Sequence, residues 1–350
     1  MPRSALVPPM TDPTPIFEQF RGSYGTELLT AAVAHLDVFG KLASPKSFES
    51  LRDSLGLADR PANVLITALR AMGLLAHDSA NRLVLTDLAR EHLVPGADFD
   101  VSGYIGLAAN APGVLEMVER LRTNRPAGAS AEEQGAAFIF REGLESAMER
   151  EASARSLTLA LAGRARNVAP HLARVAQLET ARVLLDVGGG TGIYAIACVQ
   201  AHPSLRAKIW DRPEVLKVAR EMAESHGVLD RVELIPGDMF ADPVPEGADA
   251  ILLSNILHDW DVPECRTLVG RLAATLRPGG RLMVHDVFLD DDLSGPLPIA
   301  LYSAALFTLT EGRAYSAAEY RGWLEVAGLV VDALVPTLIH CGVLTGTRPA

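Results

Sequence analysis

The chain has 350 residues, of which 49% are hydrophobic, and carries a formal net charge of −11. That length and apolar content are enough for a large core and predict two domains, while the acidic balance argues against nucleic acid or an anionic membrane surface as the main partner and favours small molecules. Cys198, Cys265 and Cys341 are widely spaced without a C-x-x-C pair, which argues against a disulfide framework or a cysteine zinc site and fits a reducing cytoplasm.

Residues 1–15 are rich in proline and poor in large apolar side chains, so a disordered tail is expected there, with no signal-peptide core. From Ile16 to about Phe39, Phe17, Phe20, Tyr24, Leu28, Ala31, Ala32, His35 and Leu36 recur at helical spacing. The stretches 48–57 and Pro61–Met72 read as two helices joined by a short turn. Residues 73–77 and 82–86 read as strands around a polar turn at 78–81. Residues 16–100 thus have the look of a winged helix. DNA binding would need cations on the second helix, which offers only Arg70, so a dimerisation module is the more economical reading.

Residues 101–175 read as helices that link the domains and contribute to a substrate pocket, broken by a Pro/Gly/Ala-rich stretch over 125–131. Phe138, Phe140, Leu144, Met148, Leu157 and Leu161 form their apolar stripe. Over 176–350 strands and helices alternate. Strands are expected at 182–187, 206–211, 231–236, 248–255 and 281–287, followed by closing strands at 329–335 and 338–345. Asp261 and Glu264 are spaced as a capping box for the helix over 261–276. The stretch 297–310 is apolar but too short to span a bilayer, and reads as a core or pocket helix. The expected class is a doubly wound, Rossmann-like α/β sheet preceded by the helical, winged-helix-like lobe.

Open α/β sheets bind ligands beyond the carboxyl ends of their strands. The first strand ends in Asp186 and the cluster Gly188-Gly189-Gly190-Thr191-Gly192, where glycines let a ligand approach the main chain; G-x-G-x-x-A over 190–195 also matches a dinucleotide turn. Asp211 ends the second strand and is placed to accept both ribose hydroxyls. The third leads to Asp238, Met239 and Phe240, which suit an adenine amine and face. The fourth leads through Ser254 to His258, Asp259 and Trp260. With carboxylates and no basic residue around the turn, this rim suits a cationic sulfonium better than a pyrophosphate.

The ordered set Asp186–Gly192, Gly237-Asp238-Met239-Phe240, His258-Asp259-Trp260 and Arg277-Pro278-Gly279-Gly280 resembles the S-adenosylmethionine-dependent O-methyltransferases of the caffeate and acetylserotonin type, over about residues 16–345. The resemblance implies a class I methyltransferase sheet, a homodimer, and a small, aromatic secondary metabolite as substrate. It places Asp186, Gly188, Gly190, Gly192, Asp211, Asp238, Met239, Phe240, Ser254 and Trp260 around S-adenosylmethionine, and His258 as general base. It also supplies that base with two carboxylates. The first matches Asp286, a shorter acid than the family's usual glutamate; the second position holds Ala314. Glu311 or Tyr315 compensates for it, or the reaction needs no strong deprotonation, as in methylation of a nucleophilic carbon. Asp259 is assigned to orienting the substrate or closing the turn. His285 beside Asp286 suggests a metal, but neighbouring strand residues face opposite ways, so no metal site is expected. The readings left beside O-methylation are C-methylation, an NAD-type oxidoreductase using the same turn, and a sensor or DNA-binding relative without turnover.

Overall fold

The computed structural model describes residues 2–125 and 151–350; the expected break after Arg125 and the positions Phe138, Phe140, Leu144 and Met148 lie outside them. The N-terminal elements are α1 (Thr14–Arg21), α2 (Gly25–Thr30), α3 (Val38–Lys41), α4 (Phe48–Leu55), α5 (Asp59–Ala71), the hairpin β1 (Leu75–His77) and β2 (Leu83–Leu85), then α6 (Asp87–His92), α7 (Ser102–Ile105) and α8 (Pro112–Thr123). Ser47 starts α4 by accepting from the amide of Ser50. Helix α5 buries ten residues from Arg60 to Arg70. Leu65, Leu69, Leu28, Leu51, Leu83 and Met117 share one core there, each side chain stabilising the fold by about 2 kcal/mol relative to exposure.

The second half begins with α9 (Glu151–Val175) and continues through β3 (Val183–Val187), α10 (Ile193–Ala201), β4 (Arg206–Asp211), α11 (Pro213–Ser225), β5 (Val232–Pro236), β6 (Ala250–Ser254), α12 (Val262–Thr275) and β7 (Arg281–Leu289). It closes with α13 (Leu297–Leu309), β8 (Tyr315–Ser316), α14 (Ala317–Val326), β9 (Val330–Val331), β10 (Val335–Pro336) and β11 (Cys341–Thr347). The sheet order is β10-β11-β7-β6-β3-β4-β5, with β8 beside β7 and β9 beside β11. Strands β3 to β7 run parallel and β11 is antiparallel to β7. The order reverses at β3, which has β4 on one side and β6 on the other, so a crevice opens at its carboxyl end. Helix α10 is apolar all round because it lies between the sheet and α9. Helix α13 joins the two halves: Ile299, Ala300 and Leu306 enter the sheet core, while Leu301, Ala304 and Phe307 enter the N-terminal one. No helix among the described residues is long and apolar enough to cross a membrane.

Three expectations are corrected. The N-terminal tail is held against the sheet domain, because the Ala5 amide donates to Gln200, the Arg3 amide to the Ser225 carbonyl, and Ala5 itself is buried. Asp261 caps α12 through the amide of Val262 and not that of Glu264; the capping box forms instead at Ser316 and Glu319. The expected closing strands are shorter and shifted, since Ile339 and His340 take φ values of 59° and 58° and turn the chain before β11. Arg70, the cation noted on the second helix, is buried and paired with Asp292.

Candidate active site

The carboxyl ends of β3, β4, β5 and β6 surround a cavity of about 480 Å³. Asp186 lines it from the end of β3, Gly188 and Gly190 from the turn that follows, Asp211 from β4, and Asp238, Met239 and Phe240 from the loop after β5. Ser254, His258, Asp259 and Trp260 line it from β6 and the turn beyond. Two expected residues stand outside the lining. Gly192 lies beneath the turn as the N-cap of α10, and Asp286 lies behind His258 on β7.

The glycine turn is tied to the next strand. The Gly190 amide donates to Asp211 Oδ2 at 2.8 Å, and the Arg212 amide to Asp211 Oδ1 at 2.7 Å. Gly190 has φ of 58° and open space where a Cβ would stand, so the main chain there is bare toward the cavity. Asp186 is fully buried, and neither of its carboxyl oxygens has a hydrogen-bond partner among the described residues. Burial, then the neighbouring Asp211, pushes Asp186 up to about 8. Burial also raises Asp211, against the pull of the two amides.

Asp238 is engaged by its own loop: Oδ1 accepts from the amides of Phe240 (2.7 Å) and Ala241 (3.2 Å), and Oδ2 from Arg212 at 3.3 Å. Phe240 and Trp260 meet edge to face, ring centroids 4.7 Å apart. The cavity also corrects the view of a rim without cations, because Arg212 and Arg164 both line it. Arg212 directly follows Asp211, whereas Arg164 arrives from α9, which no rim motif signals.

His258 sits in the one-turn helix Leu257–Asp259, buried. Its Nδ1 is 2.5 Å from Asp286 Oδ1, and its Nε2 is 3.6 Å from Asp259 Oδ1. Asp286 also accepts from the Val287 amide (2.8 Å, Oδ1) and the Tyr320 hydroxyl (3.1 Å, Oδ2). Three donors thus fix one carboxylate, which fixes the imidazole with Nδ1–H donating and Nε2 free to accept. Burial pulls the His258 imidazolium down, but Asp286 and then Asp259 outweigh it, and the histidine ends above its ordinary 6.5. Burial pushes Asp259 up to about 7, against the pull of His258. Burial raises Asp286 as well, but the charge and hydrogen bond of His258 bring it below its ordinary value.

The neighbouring His285 faces the other way, with Nδ1 2.8 Å from Ser254 Oγ and its ring edge-on to Tyr194; burial brings it down to about 3, so it is neutral. Ala314 is buried and its amide donates to Ser303. Tyr315 does not reach the histidine, since its hydroxyl donates to the Trp260 carbonyl at 2.6 Å. The carboxylate next to Nε2 is Asp259. Gly312 is a contact that sequence reasoning missed: a Cβ there would overlap the His258 carbonyl and the Trp260 amide, so this loop packs backbone to backbone on the histidine turn. Arg60 of α5 holds the same loop by donating to the carbonyls of Thr310 (2.9 Å) and Gly312 (3.3 Å).

A mixed sheet, parallel over β3 to β7 and closed by the antiparallel β11, with a glycine turn at its switch point and a carboxylate-paired histidine on the same rim, has the architecture of a class I methyltransferase. Comparison with known proteins agrees. Residues 131–330 match the O-methyltransferase domain family. The chain is 35% identical over 328 residues to 3-hydroxy-5-methyl-1-naphthoate 3-O-methyltransferase of Streptomyces sahachiroi, covering 93% of this chain and 92% of that one. It is 32% identical to the tetracenomycin polyketide synthesis 8-O-methyl transferase of Streptomyces glaucescens, covering 90% and 91%. Among solved structures, an O-methyltransferase family 2 protein from Planctomyces limnophilus, in complex with apigenin, superposes with a TM-score of 0.88 at 49% identity, covering 99% of each chain. The chain belongs to the O-methyltransferase family, enzymes that take their methyl group from S-adenosylmethionine.

Proposed function

We propose that this enzyme methylates a hydroxyl of a small aromatic metabolite, with His258 as general base. The observation that carries the reading is the Asp286–His258 pair, 2.5 Å apart, set on the same cavity as the Gly190–Asp211 turn. When bound, S-adenosylmethionine supplies an electrophilic methyl group on a sulfonium. The residues present fit that group: Asp186 and Asp211 offer carboxyl oxygens, the turn at Gly190 is bare, and Phe240 and Trp260 offer aromatic faces for a nucleoside.

The protein's own part is alignment and proton removal. His258 Nε2 takes the hydroxyl proton, while Asp286 holds Nδ1–H and stabilises the imidazolium that forms. Asp286 is a positioning residue and does not reach the cavity. Asp259, near its midpoint at neutral pH, orients the acceptor hydroxyl beside Nε2. The S. sahachiroi relative acts on a hydroxynaphthoate and the P. limnophilus protein holds apigenin, so the acceptor here is drawn from hydroxylated aromatic ring systems.

The exposed Ile16, Phe20, Tyr104 and Leu107 of the N-terminal lobe are the surface we assign to a homodimer, checked by sedimentation. Three buried free thiols suit a reducing compartment such as the cytoplasm. The test of the catalytic reading is isotope transfer from methyl-labelled S-adenosylmethionine to a panel of phenols and hydroxynaphthalenes. An O-methyl product that is lost in His258→Ala, with S-adenosylhomocysteine binding retained, supports it. Full activity in His258→Ala, or a C-linked methyl, overturns it.

A further inference from the structure

Arg164 projects from α9 into the cavity, and no carboxylate of the described residues pairs with it. Its Nη1 donates to the Tyr302 hydroxyl at 3.3 Å and its Nε is buried without a hydrogen-bond partner. Among the described residues, no carboxylate lies within ion-pair distance of it. The nearby acids are already committed: Asp286 to His258, the Val287 amide and Tyr320, and Asp259 to the place beside Nε2. Tyr302 is no counter-ion either, because burial raises its phenol above 10 despite Arg164 and Arg21.

A second cation adds to the imbalance. Arg21 of α1 lies over the Tyr302 ring, its guanidinium carbon 4.6 Å from the centroid, with Nη1 on the Ile339 carbonyl and Nη2 buried unpaired. Arg164 is half-buried with its Nε enclosed and unpaired, so it stands charged on the cavity wall, and its planar fork matches a carboxylate. The location separates two sources of such a group. The Tyr302 ring that Arg164 touches stands 6.0 Å from the His258 ring. The side chain that Arg164 hydrogen-bonds belongs to α13 and not to the glycine turn of Asp186 and Gly190. The cation therefore faces the acceptor end and not the methionine end.

We propose that Arg164 is a specificity-determining residue that binds a carboxylate on the aromatic acceptor, so that the preferred substrates are hydroxylated aromatic acids. The proposal rests on the methyl-transfer reading above. It adds the charge of the acceptor and the residue that reads it. Tyr302 fills the space between this anion site and the base, which sets the acid group and the methylated hydroxyl on different edges of the ring system.

The test is calorimetric binding of hydroxynaphthoic acids and of the matching hydroxynaphthamides to the full-length protein loaded with S-adenosylhomocysteine. It uses the wild type, Arg164→Gln and Arg164→Lys. The acid should bind more tightly than the amide in the wild type. Arg164→Gln should weaken the acid by roughly 10- to 100-fold, as expected for a charged hydrogen bond lost in a buried site. The same change should leave the amide within about threefold, and Arg164→Lys should recover part of the loss. Equal weakening of acid and amide, a preference for the amide, or no binding of any acid overturns the proposal. Weaker binding of S-adenosylhomocysteine itself to Arg164→Gln overturns it too, by assigning the arginine to the cofactor's carboxylate. Absence of S-adenosylhomocysteine binding to the wild type is a different failure, because it removes the methyl-transfer reading itself.

Discussion

Replacing Asp286 by Asn isolates the charge of the carboxylate behind His258 from its geometry. The amide oxygen can occupy the Oδ1 position, where it still accepts from His258 Nδ1–H and the Val287 amide, while the amide nitrogen turns to the Tyr320 hydroxyl oxygen. The histidine tautomer is then kept and only the negative charge is lost. A buried hydrogen bond to a charged group contributes about 1.5–3 kcal/mol and a neutral one about 1 kcal/mol, so the imidazolium loses roughly 1–2 kcal/mol. That corresponds to a fall of about one unit in the His258 midpoint and a roughly 5- to 30-fold loss in kcat/KM on its high-pH plateau. The sign follows from the direction of the shift. The wild-type histidine titrates above 6.5, so the basic form accumulates only as pH rises through that raised value, and kcat/KM should climb with a midpoint above 6.5. In Asp286→Asn the climb should move to lower pH. The assay is S-adenosylhomocysteine release against pH, with a phenol that stays neutral across the range. A wild-type midpoint below 6.5, or a midpoint unmoved in the variant, would refute the reasoning.

Gly312→Ala should destabilise the fold by about 1–3 kcal/mol and cut activity, because its Cβ meets the His258 carbonyl and Trp260 amide, backbone atoms that cannot step aside; thermal unfolding and turnover measured together check this. Arg60→Met should lower kcat/KM while leaving S-adenosylhomocysteine binding within about twofold, since it frees the loop over 310–312 and does not reach the glycine turn; paired kinetics and calorimetry decide it. S-adenosylhomocysteine binding should release close to one proton at pH 7, because Asp186 is held near 8 in the free protein and meets the ligand's ammonium as a carboxylate. The dependence of the binding enthalpy on buffer ionisation should show that proton, and Asp186→Asn should abolish it.

What was legible in the sequence was whatever the chain brings together locally. The turn 186–192, Asp211 at the end of β4 and Asp238 after β5 all sit at strand ends, and a parallel sheet places strand ends on one rim whatever else the chain does. The partnership of His258 with Asp286 came from the family resemblance alone; in the structure it rests on β6 and β7 being neighbours. The residues that escaped come from elements whose placement depends on tertiary packing. Arg164 lies on a helix with no rim motif, and Tyr302 sits in an apolar stretch that sequence reasoning places only as a core or pocket helix. Tyr320 reaches Asp286 from α14, a contact fixed by how that helix packs on the sheet. The position of Ala314 shows the limit most directly. Sequence comparison at that one place counts a missing carboxylate, yet the histidine has a second acid beside it in Asp259, its own neighbour in the chain. Adjacent residues fall on opposite faces of a strand but lie about 120° apart in a 3-10 turn, and Leu257–Asp259 forms such a turn. The acid assigned to orienting the substrate therefore also adds to Asp286 in raising the base.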